Sequence, residues 1–332
     1  MNKILITGGA GMIGSNLVKK LVKRGDIVFV VDNLWRGKLS NLYENGIPVI
    51  NLETNFFNLD LSIPDCLDEI LKEIDYVIHL ADIVAGIGYV FNNQGFIFRQ
   101  NMLINSNVFS SIRKNSNSIK GVVNVGTACS FPLELQNKLD LIPLEEEQLY
   151  PANPESAYGW SKLMGQYEID LLSKETGLPS VSLMFHNVYG SPCDFGERSQ
   201  VIPSLIQKAI LYPTNDFVVW GSGKQGRAFI HVDDVVEGIV LALEKGWGNS
   251  PIQLGPNVCT SIKEISELIS EISEKNIEIQ FDITKPEGDL ARAANYTKAK
   301  EILGWEPKVK LKDGLSSLYK WIAANQNILD EK

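Results

Sequence analysis

Near its start the chain reads Lys3-Ile4-Leu5-Ile6-Thr7-Gly8-Gly9-Ala10-Gly11-Met12-Ile13-Gly14. An apolar strand-like run, Lys3–Thr7, enters a glycine-rich turn, and a helical pattern, Met12–Arg24, leaves it. Strand, tight turn and helix in that order make the phosphate-binding corner of a dinucleotide site. Gly8 permits the turn, Gly11 lets the backbone approach a pyrophosphate, and Gly14 lets the helix pack close to the sheet. The phosphates then rest on the helix N-terminus, where Met12 and Ile13 stand in the first turn. A second strand, Asp26–Asp32, follows, and Asp32 comes 18 residues after Gly14, with Asn33 beside it. A carboxylate there accepts hydrogen bonds from the adenosine ribose and repels a 2′-phosphate, so NAD is the expected cofactor. Arg36 and Lys38 close behind pull the other way, and a solvated loop carboxylate is the plain alternative for Asp32.

Outward from this corner, apolar runs alternate with helical patterns. Strands are expected at Pro48–Leu52, Tyr76–Leu80, Gly121–Val125 and Ser180–Phe185. Helices are expected at Pro64–Lys72, Phe96–Arg113 and Ala157–Thr176. This alternation predicts an α/β fold, a doubly wound parallel sheet of Rossmann type with a smaller C-terminal α/β substrate domain. Residues 1–186, plus roughly 229–250, form the first domain; 187–228 and 251–332 form the second. Further helices are expected at Asp233–Glu244, opened by an Asp234/Glu237 capping box, and at Ser261–Lys275 and Lys312–Ala324. Asn327–Lys332 reads as a frayed tail.

The chain has 332 residues, 44% hydrophobic and 21% charged, ordinary for a globular protein with a large core. A formal net charge of −9 argues against a nucleic-acid partner. No apolar run approaches the ~20 residues of a membrane span, and the N-terminus is too short and too soon glycine-rich for a signal peptide. The four cysteines, Cys66, Cys129, Cys193 and Cys259, are widely spaced. That argues against a disulfide framework or zinc cage and fits a reducing cytoplasm, with no metal expected.

Tyr158-Gly159-Trp160-Ser161-Lys162 places a tyrosine and a lysine four apart on one helical face. An ammonium beside a phenol lowers its pKa from about 10 toward neutrality, so Tyr158 can take a hydroxyl proton. A surface helix pair is the alternative. Upstream, Val125-Gly126-Thr127-Ala128-Cys129-Ser130 lies where a strand ends, the side on which open α/β sheets bind ligands. Thr127 can hydrogen-bond the reacting oxygen and the phenol. The Cys129 thiol can exchange a proton with a carbon next to a ketone, or be a small buried hydrophobe.

These residues resemble the extended short-chain dehydrogenase/reductase family of nucleotide-sugar enzymes. His79-Leu80-Ala81, Phe185-His186-Asn187-Val188-Tyr189-Gly190, Arg227-Ala228-Phe229-Ile230-His231-Val232-Asp233-Asp234 and Gly304-Trp305-Glu306-Pro307 extend the likeness through nearly the whole chain. Within the family, GDP-mannose 3,5-epimerases and GDP-L-fucose synthases are most similar. Both carry a cysteine where Cys129 stands and a loop like Ala85-Gly86-Ile87-Gly88. The resemblance implies that Tyr158 and Lys162 are the redox pair, Thr127 their partner and Cys129 an epimerisation acid/base. It implies that Asp60 and Leu61 flank the adenine, and that Leu80, Ala81, Asn101 and Phe185 line the cofactor. Gly86, Asn187, Gln200, Val201, Trp220, Arg227 and Arg292 would face the nucleotide sugar. Asn187 as a turn residue, and Arg227 and Arg292 in surface ion pairs, are the alternatives. For His231, Asp233 and Asp234 a helix cap is the expectation. A homodimer through helices 96–113 and 157–176 is implied as well.

The similar enzymes carry a second acid/base, a lysine or a histidine, where this chain has Val201 and Gln200. Neither exchanges protons near neutral pH, and Cys129-Ser130 lacks the Asp-Glu pair of 4,6-dehydratases. The expected function is an NAD-dependent nucleotide-sugar epimerase that acts through a transient 4-keto sugar, on a GDP-hexose or GDP-heptose. Cys129, with a water or Glu197, would move the proton at C3 or C5. A 4-epimerase, a net 4-dehydrogenase or reductase, and a non-catalytic NAD(H)-binding sensor are the alternatives.

Overall fold

The structure, a computed structural model, describes residues 1–137, 142–196, 198–285, 287–288 and 290–326. The tail Asn327–Lys332 and Glu197 lie outside the described residues. The first lobe runs β1 (Lys3–Thr7), α1 (Met12–Arg24), β2 (Ile27–Val31), β3 (Phe56–Phe57), β4 (Tyr76–His79), α2 (Gln94–Lys114), β5 (Gly121–Thr127), α3 (Ala157–Thr176) and β6 (Ser180–Phe185). After α4 (Val201–Leu211), α5 (Val232–Lys245) returns to it and leads into β7 (Ile252–Leu254). The seven strands form one sheet in the order β7-β6-β5-β4-β1-β2-β3, parallel throughout. Strand order reverses between β1 and β4, so their carboxyl ends frame the crevice in which such sheets bind ligands.

The strands β5, β6 and β7 are buried on both faces, and β1 and β4 nearly so, which is why most of these segments read as apolar runs. Ile4 and Ile6 face a core shared with α1 and α5, whereas Leu5 faces the core shared with α2 and α3. A separate core joins α4 to α6 (Ile262–Ser273) and α7 (Leu311–Ala324). A parallel strand pair, Phe217–Trp220 with Ile279–Asp282, packs on it.

Helix α3 occupies the expected residues, capped by Ser156, whose hydroxyl accepts from Gly159 N–H at 3.3 Å. Three expectations are corrected. The third strand is Phe56–Phe57 beside β2, not Pro48–Leu52. Ile47–Pro48 instead folds back on Tyr43–Glu44, and Asn51 accepts from Glu53 and Asn55 to turn the chain. Pro64–Lys72 is not an α-helix; Asp65 sits at φ 62°, and only a 3₁₀ turn, Ile70–Glu73, forms. Asp234 and Glu237 form no capping box. His231 caps α5 through Nδ1, 3.3 Å from Asp233 N, and the Asp234 carboxylate accepts from Lys308 and Val309 N–H at 3.1 and 3.0 Å.

Candidate active site

The glycine loop is shaped by close backbone approach. A Cβ on Gly14 would lie 2.3 Å from the Gly8 carbonyl oxygen and 2.6 Å from Gly9 Cα. Gly8, at φ 71°, lies against the backbone of Ala81, where a Cβ would meet the amide nitrogen at 2.9 Å. Gly11 is the N-cap of α1 and supplies no side-chain cap, and the first turn holds no acidic residue. That leaves a cradle of backbone N–H groups at a positive helix end, which fits a pyrophosphate. At the end of β2 the Asp32 carboxylate accepts from Ala10 N–H at 2.9 Å and Leu34 N–H at 2.8 Å. Burial raises its pKa against the pull of those two bonds.

A buried polar chain ties this loop to α3. Thr7 Oγ1 accepts from Leu80 and Ala81 N–H at 3.2 Å each and donates to His79 Nδ1 at 2.7 Å. His79 Nε2 donates to Asn105 Oδ1 at 3.1 Å, and Asn105 Nδ2 donates to the Ser161 carbonyl at 3.3 Å. Burial, then the Lys162 charge, pushes His79 down to about 3, so it is neutral near pH 7. Asn101, fully buried, clamps Ile83 N–H at 2.7 Å and reaches Ser161 Oγ at 3.2 Å. Its amide thus holds the segment after β4 against α3.

Tyr158, Lys162, Thr127 and Cys129 do meet. Strand β5 ends at Thr127, whose hydroxyl accepts from Cys129 N–H at 3.2 Å and hydrogen-bonds the Tyr158 phenol. The turn Ala128–Ser130 packs on the start of α3, with Ser130 Oγ donating to the Gly159 carbonyl at 3.1 Å. A residue with no expected role completes the cluster. Tyr158 Oη donates to Asp82 Oδ2 at 3.1 Å, and Lys162 Nζ lies 3.4 Å from the same oxygen. The phenol's pKa is therefore not lowered toward neutrality. Burial first, then the charges of Asp82 and Cys129, hold it well above its ordinary value. Asp82 carries no motif signal; its place just past β4, at the ligand-binding ends of the strands, was the available clue.

The remaining site candidates are spread along the chain. Asp60, in a turn after β3, accepts from Ser62 N–H at 2.9 Å, and Leu61 is buried behind it. Asn33 accepts from Trp35 N–H at 3.0 Å, and Phe185 closes β6 inside the core. Asn187, Gln200 and Val201 line one small cavity. Gly86 N–H donates to the Arg198 carbonyl at 3.3 Å, and Gly88 lies under the half-exposed Trp220 ring. Arg227 and Arg292 are buried, which removes the surface ion-pair alternative. Arg227 donates to the Gly226 carbonyl at 2.7 Å, and Arg292 to Gln136 Oε1 at 3.0 Å. No cluster of His, Cys, Asp and Glu among the described residues could hold a metal, and no described helix is long and apolar enough to cross a membrane.

Comparison with known proteins agrees with this geometry. GDP-mannose 3,5-epimerase 1 of Oryza sativa subsp. indica is 31% identical over 320 residues, covering 96% of this chain and 81% of that protein. A putative UDP-glucose 4-epimerase of Methanocaldococcus jannaschii is 30% identical over 325 residues, covering 97% and 99%. The crystal structure of UDP-glucose 4-epimerase from Thermotoga maritima with UDP-glucose superposes with a TM-score of 0.86 at 28% identity, over 98% of this chain and 99% of that one. The sequence model of one family matches residues 4–255. A sheet with its switch point at the glycine loop, a tyrosine–lysine pair behind it and this match agree: the chain belongs to the NAD dependent epimerase/dehydratase family, and its cofactor is NAD.

Proposed function

We propose that the protein is a nucleotide-sugar epimerase that oxidises C4 of its substrate, inverts a centre through the 4-ketone, and reduces the ketone again. One observation carries this reading: the Tyr158 phenol, Thr127 hydroxyl and Cys129 thiol converge where β5 ends. Bound NAD supplies the hydride acceptor and, in the return step, the donor. Gly8, Gly11, Met12, Ile13 and Gly14 hold its pyrophosphate. Each Asp32 oxygen, with one backbone donor, has a second lone pair for a ribose hydroxyl. Asp60, Leu61 and Asn33 flank the adenosine half, Leu80, Ala81 and Phe185 the nicotinamide half, and Asn101 fixes the loop between.

Thr127 orients the C4 hydroxyl and Tyr158 takes its proton. A ketone at C4 acidifies the C–H bonds on either side, and Cys129 removes and returns one of those protons. Gly86, Asn187, Gln200, Val201 and Trp220 shape the sugar and base subsites, and Arg227 and Arg292 hold the diphosphate, for which guanidinium forks suit. A GDP-hexose or GDP-heptose is the favoured substrate, supported by the rice relative and by Cys129. Val201 and Gln200 favour a single centre, since neither supplies a second carbon acid/base. The same two residues favour a second reading, a 4-epimerase, in which the ketone turns over and no carbon is deprotonated. Exposed Phe96, Phe98 and Leu103 on α2, with Tyr167 and Leu171 on α3, support a homodimer through those faces.

The experiment incubates the purified protein with GDP-, UDP-, dTDP- and CDP-sugars in D₂O and follows products by NMR. Deuterium at C3 or C5 with unchanged redox state supports the first reading. Inversion at C4 without deuterium supports the second, and loss of two hydrogens points to net dehydrogenation. Tight NAD binding with no turnover of any sugar nucleotide overturns both and leaves a sensor.

A further inference from the structure

The Asp82 carboxylate stands in a place that the reaction above does not use. It directly follows Ala81, beyond the end of β4, and only 14% of its side chain is exposed. Its Oδ2 lies between the phenol and the ammonium, 3.1 Å from Tyr158 Oη and 3.4 Å from Lys162 Nζ. The groups facing it are the Tyr158 phenol and the Lys162 ammonium, both from α3; Thr127 and Cys129 act on the same phenol, and neutral His79 from β4 feels the Lys162 charge. Asp82 is the carboxylate among them.

A phenol that donates to a carboxylate carries its own proton and has no room for another. To take a proton from a sugar hydroxyl it must release its own in the same motion. The described hydrogen bond leads that proton to one acceptor. We propose that Asp82 accepts the proton that Tyr158 releases, so that Tyr158 is the middle of a relay and Asp82 its end. This deepens the function proposed above and rests on it. In the forward step the C4 O–H bond breaks and its proton passes to Tyr158 Oη, while the phenol proton passes to Asp82 Oδ2. The C4–H bond breaks with them, and its electron pair leaves as hydride to NAD. C4 becomes a carbonyl, Tyr158 is unchanged, and Asp82 is neutral. Reduction returns the proton along the same path. Acting through Tyr158, Asp82 is a positioning residue, and Lys162 holds its carboxylate toward the phenol. Burial first, then the Asp82 charge, hold the phenol's pKa above its ordinary value, in keeping with a phenol that donates its proton to Asp82.

The test has one arm that needs no sugar. Tyrosinate absorbance is titrated in NAD-loaded protein, with and without Asp82→Asn, each against the same protein carrying Tyr158→Phe. The relay predicts at least about tenfold more Tyr158 phenolate at a given alkaline pH in Asp82→Asn, since a negative charge has been removed. Identical titrations overturn it. The second arm follows a single turnover by reduced-nicotinamide absorbance, with each sugar nucleotide of the panel. Asp82→Asn is expected to slow NADH formation by ~10²–10⁴-fold near pH 7. Its rate should climb about tenfold per pH unit, because only ionised phenol can then take the proton. Asp82→Glu should recover part of the rate and the wild-type pH profile. A fast, pH-independent Asp82→Asn variant overturns the relay. If Asp82→Asn fails to bind NAD, the tyrosinate titration is run on both proteins without NAD: more Tyr158 phenolate in Asp82→Asn at a given alkaline pH supports the relay, and identical titrations overturn it. If the wild-type protein forms no NADH with any sugar nucleotide, the function fails, and the titration still decides whether Asp82 controls the phenol.

Discussion

Gly14→Ala isolates the packing on which the dinucleotide site depends. The added methyl would sit 2.3 Å from the Gly8 carbonyl oxygen, 2.6 Å from Gly9 Cα and 3.0 Å from the Gly8 carbonyl carbon. All three are backbone atoms, so no side chain can swing aside, and the turn must open by about 1 Å before ordinary contact returns. Two effects compete. Alanine gains about 1 kcal/mol of helix propensity over glycine in α1. Overpacking against fixed atoms costs about 1–3 kcal/mol, and contacts this short put it at the upper end. A net loss of about 1–2 kcal/mol should lower Tm by roughly 2–6 °C. The same opening spoils the N–H cradle, and a further loss of about 1.4 kcal/mol is tenfold in NAD affinity. Gly95→Ala is the control: no atom lies within 4 Å of its Cβ, and it stands in the first turn of α2. Calorimetric NAD titration and thermal melts read both variants. Equal Tm and NAD affinity for Gly14→Ala and wild type would refute the packing argument, as would equal damage from Gly95→Ala.

Cys129→Ser should abolish solvent deuterium at C3 or C5 while NADH still forms in a single turnover; full exchange in that variant removes the thiol from the reaction. His79 and His186 are both buried and held down to about 3, burial being the first cause in each. Their folded pKa lies below the unfolded value of about 6.5, so the unfolded chain binds more protons and stability falls as pH drops below that value. Each should cost about 2 kcal/mol between pH 7 and pH 5, opposed by Asp170, whose carboxyl burial raises to about 6. Denaturant titrations at both pH values check this, and His186→Asn should flatten the slope; an unchanged slope contradicts it. Asp234→Ala strands the N–H groups of Lys308 and Val309 and should destabilise by about 2–4 kcal/mol. Glu237→Ala, losing a half-exposed ion pair with Lys20, should stay within about 1 kcal/mol; the reverse ranking in denaturant melts restores the capping box.

What could be read from the chain was local and contact-limited. Gly8 and Gly14 announce the loop because backbone touches backbone there, and a side chain would force the turn apart. The four-residue spacing of Tyr158 and Lys162 marks α3, because that periodicity lies within one helix. The failures depend on partners far along the chain. Val49 and Ile50 are as apolar as Phe56 and Phe57, yet Val30 and Val31 pair with the latter, because Asn51 turns the chain and Asn55 Nδ2 binds the Val28 carbonyl. Asp234 looked like a cap by spacing, but its acceptors' partners lie 74 and 75 residues away. Asp82 meets Tyr158 across 76 residues, and the Thr7–His79–Asn105 chain spans three elements. Such side chains look like ordinary polar residues until the fold brings them together, and here they decide the phenol's charge state.

A crystal structure of the protein with NAD and the sugar nucleotide that it turns over tests the central claim most directly. The account predicts the pyrophosphate on the N-terminus of α1, the nicotinamide beside Ala81, and the C4 hydroxyl about 2.6–3.2 Å from Tyr158 Oη. A nicotinamide remote from Tyr158, or a sugar whose C4 lies out of reach of both Tyr158 and Thr127, would contradict it.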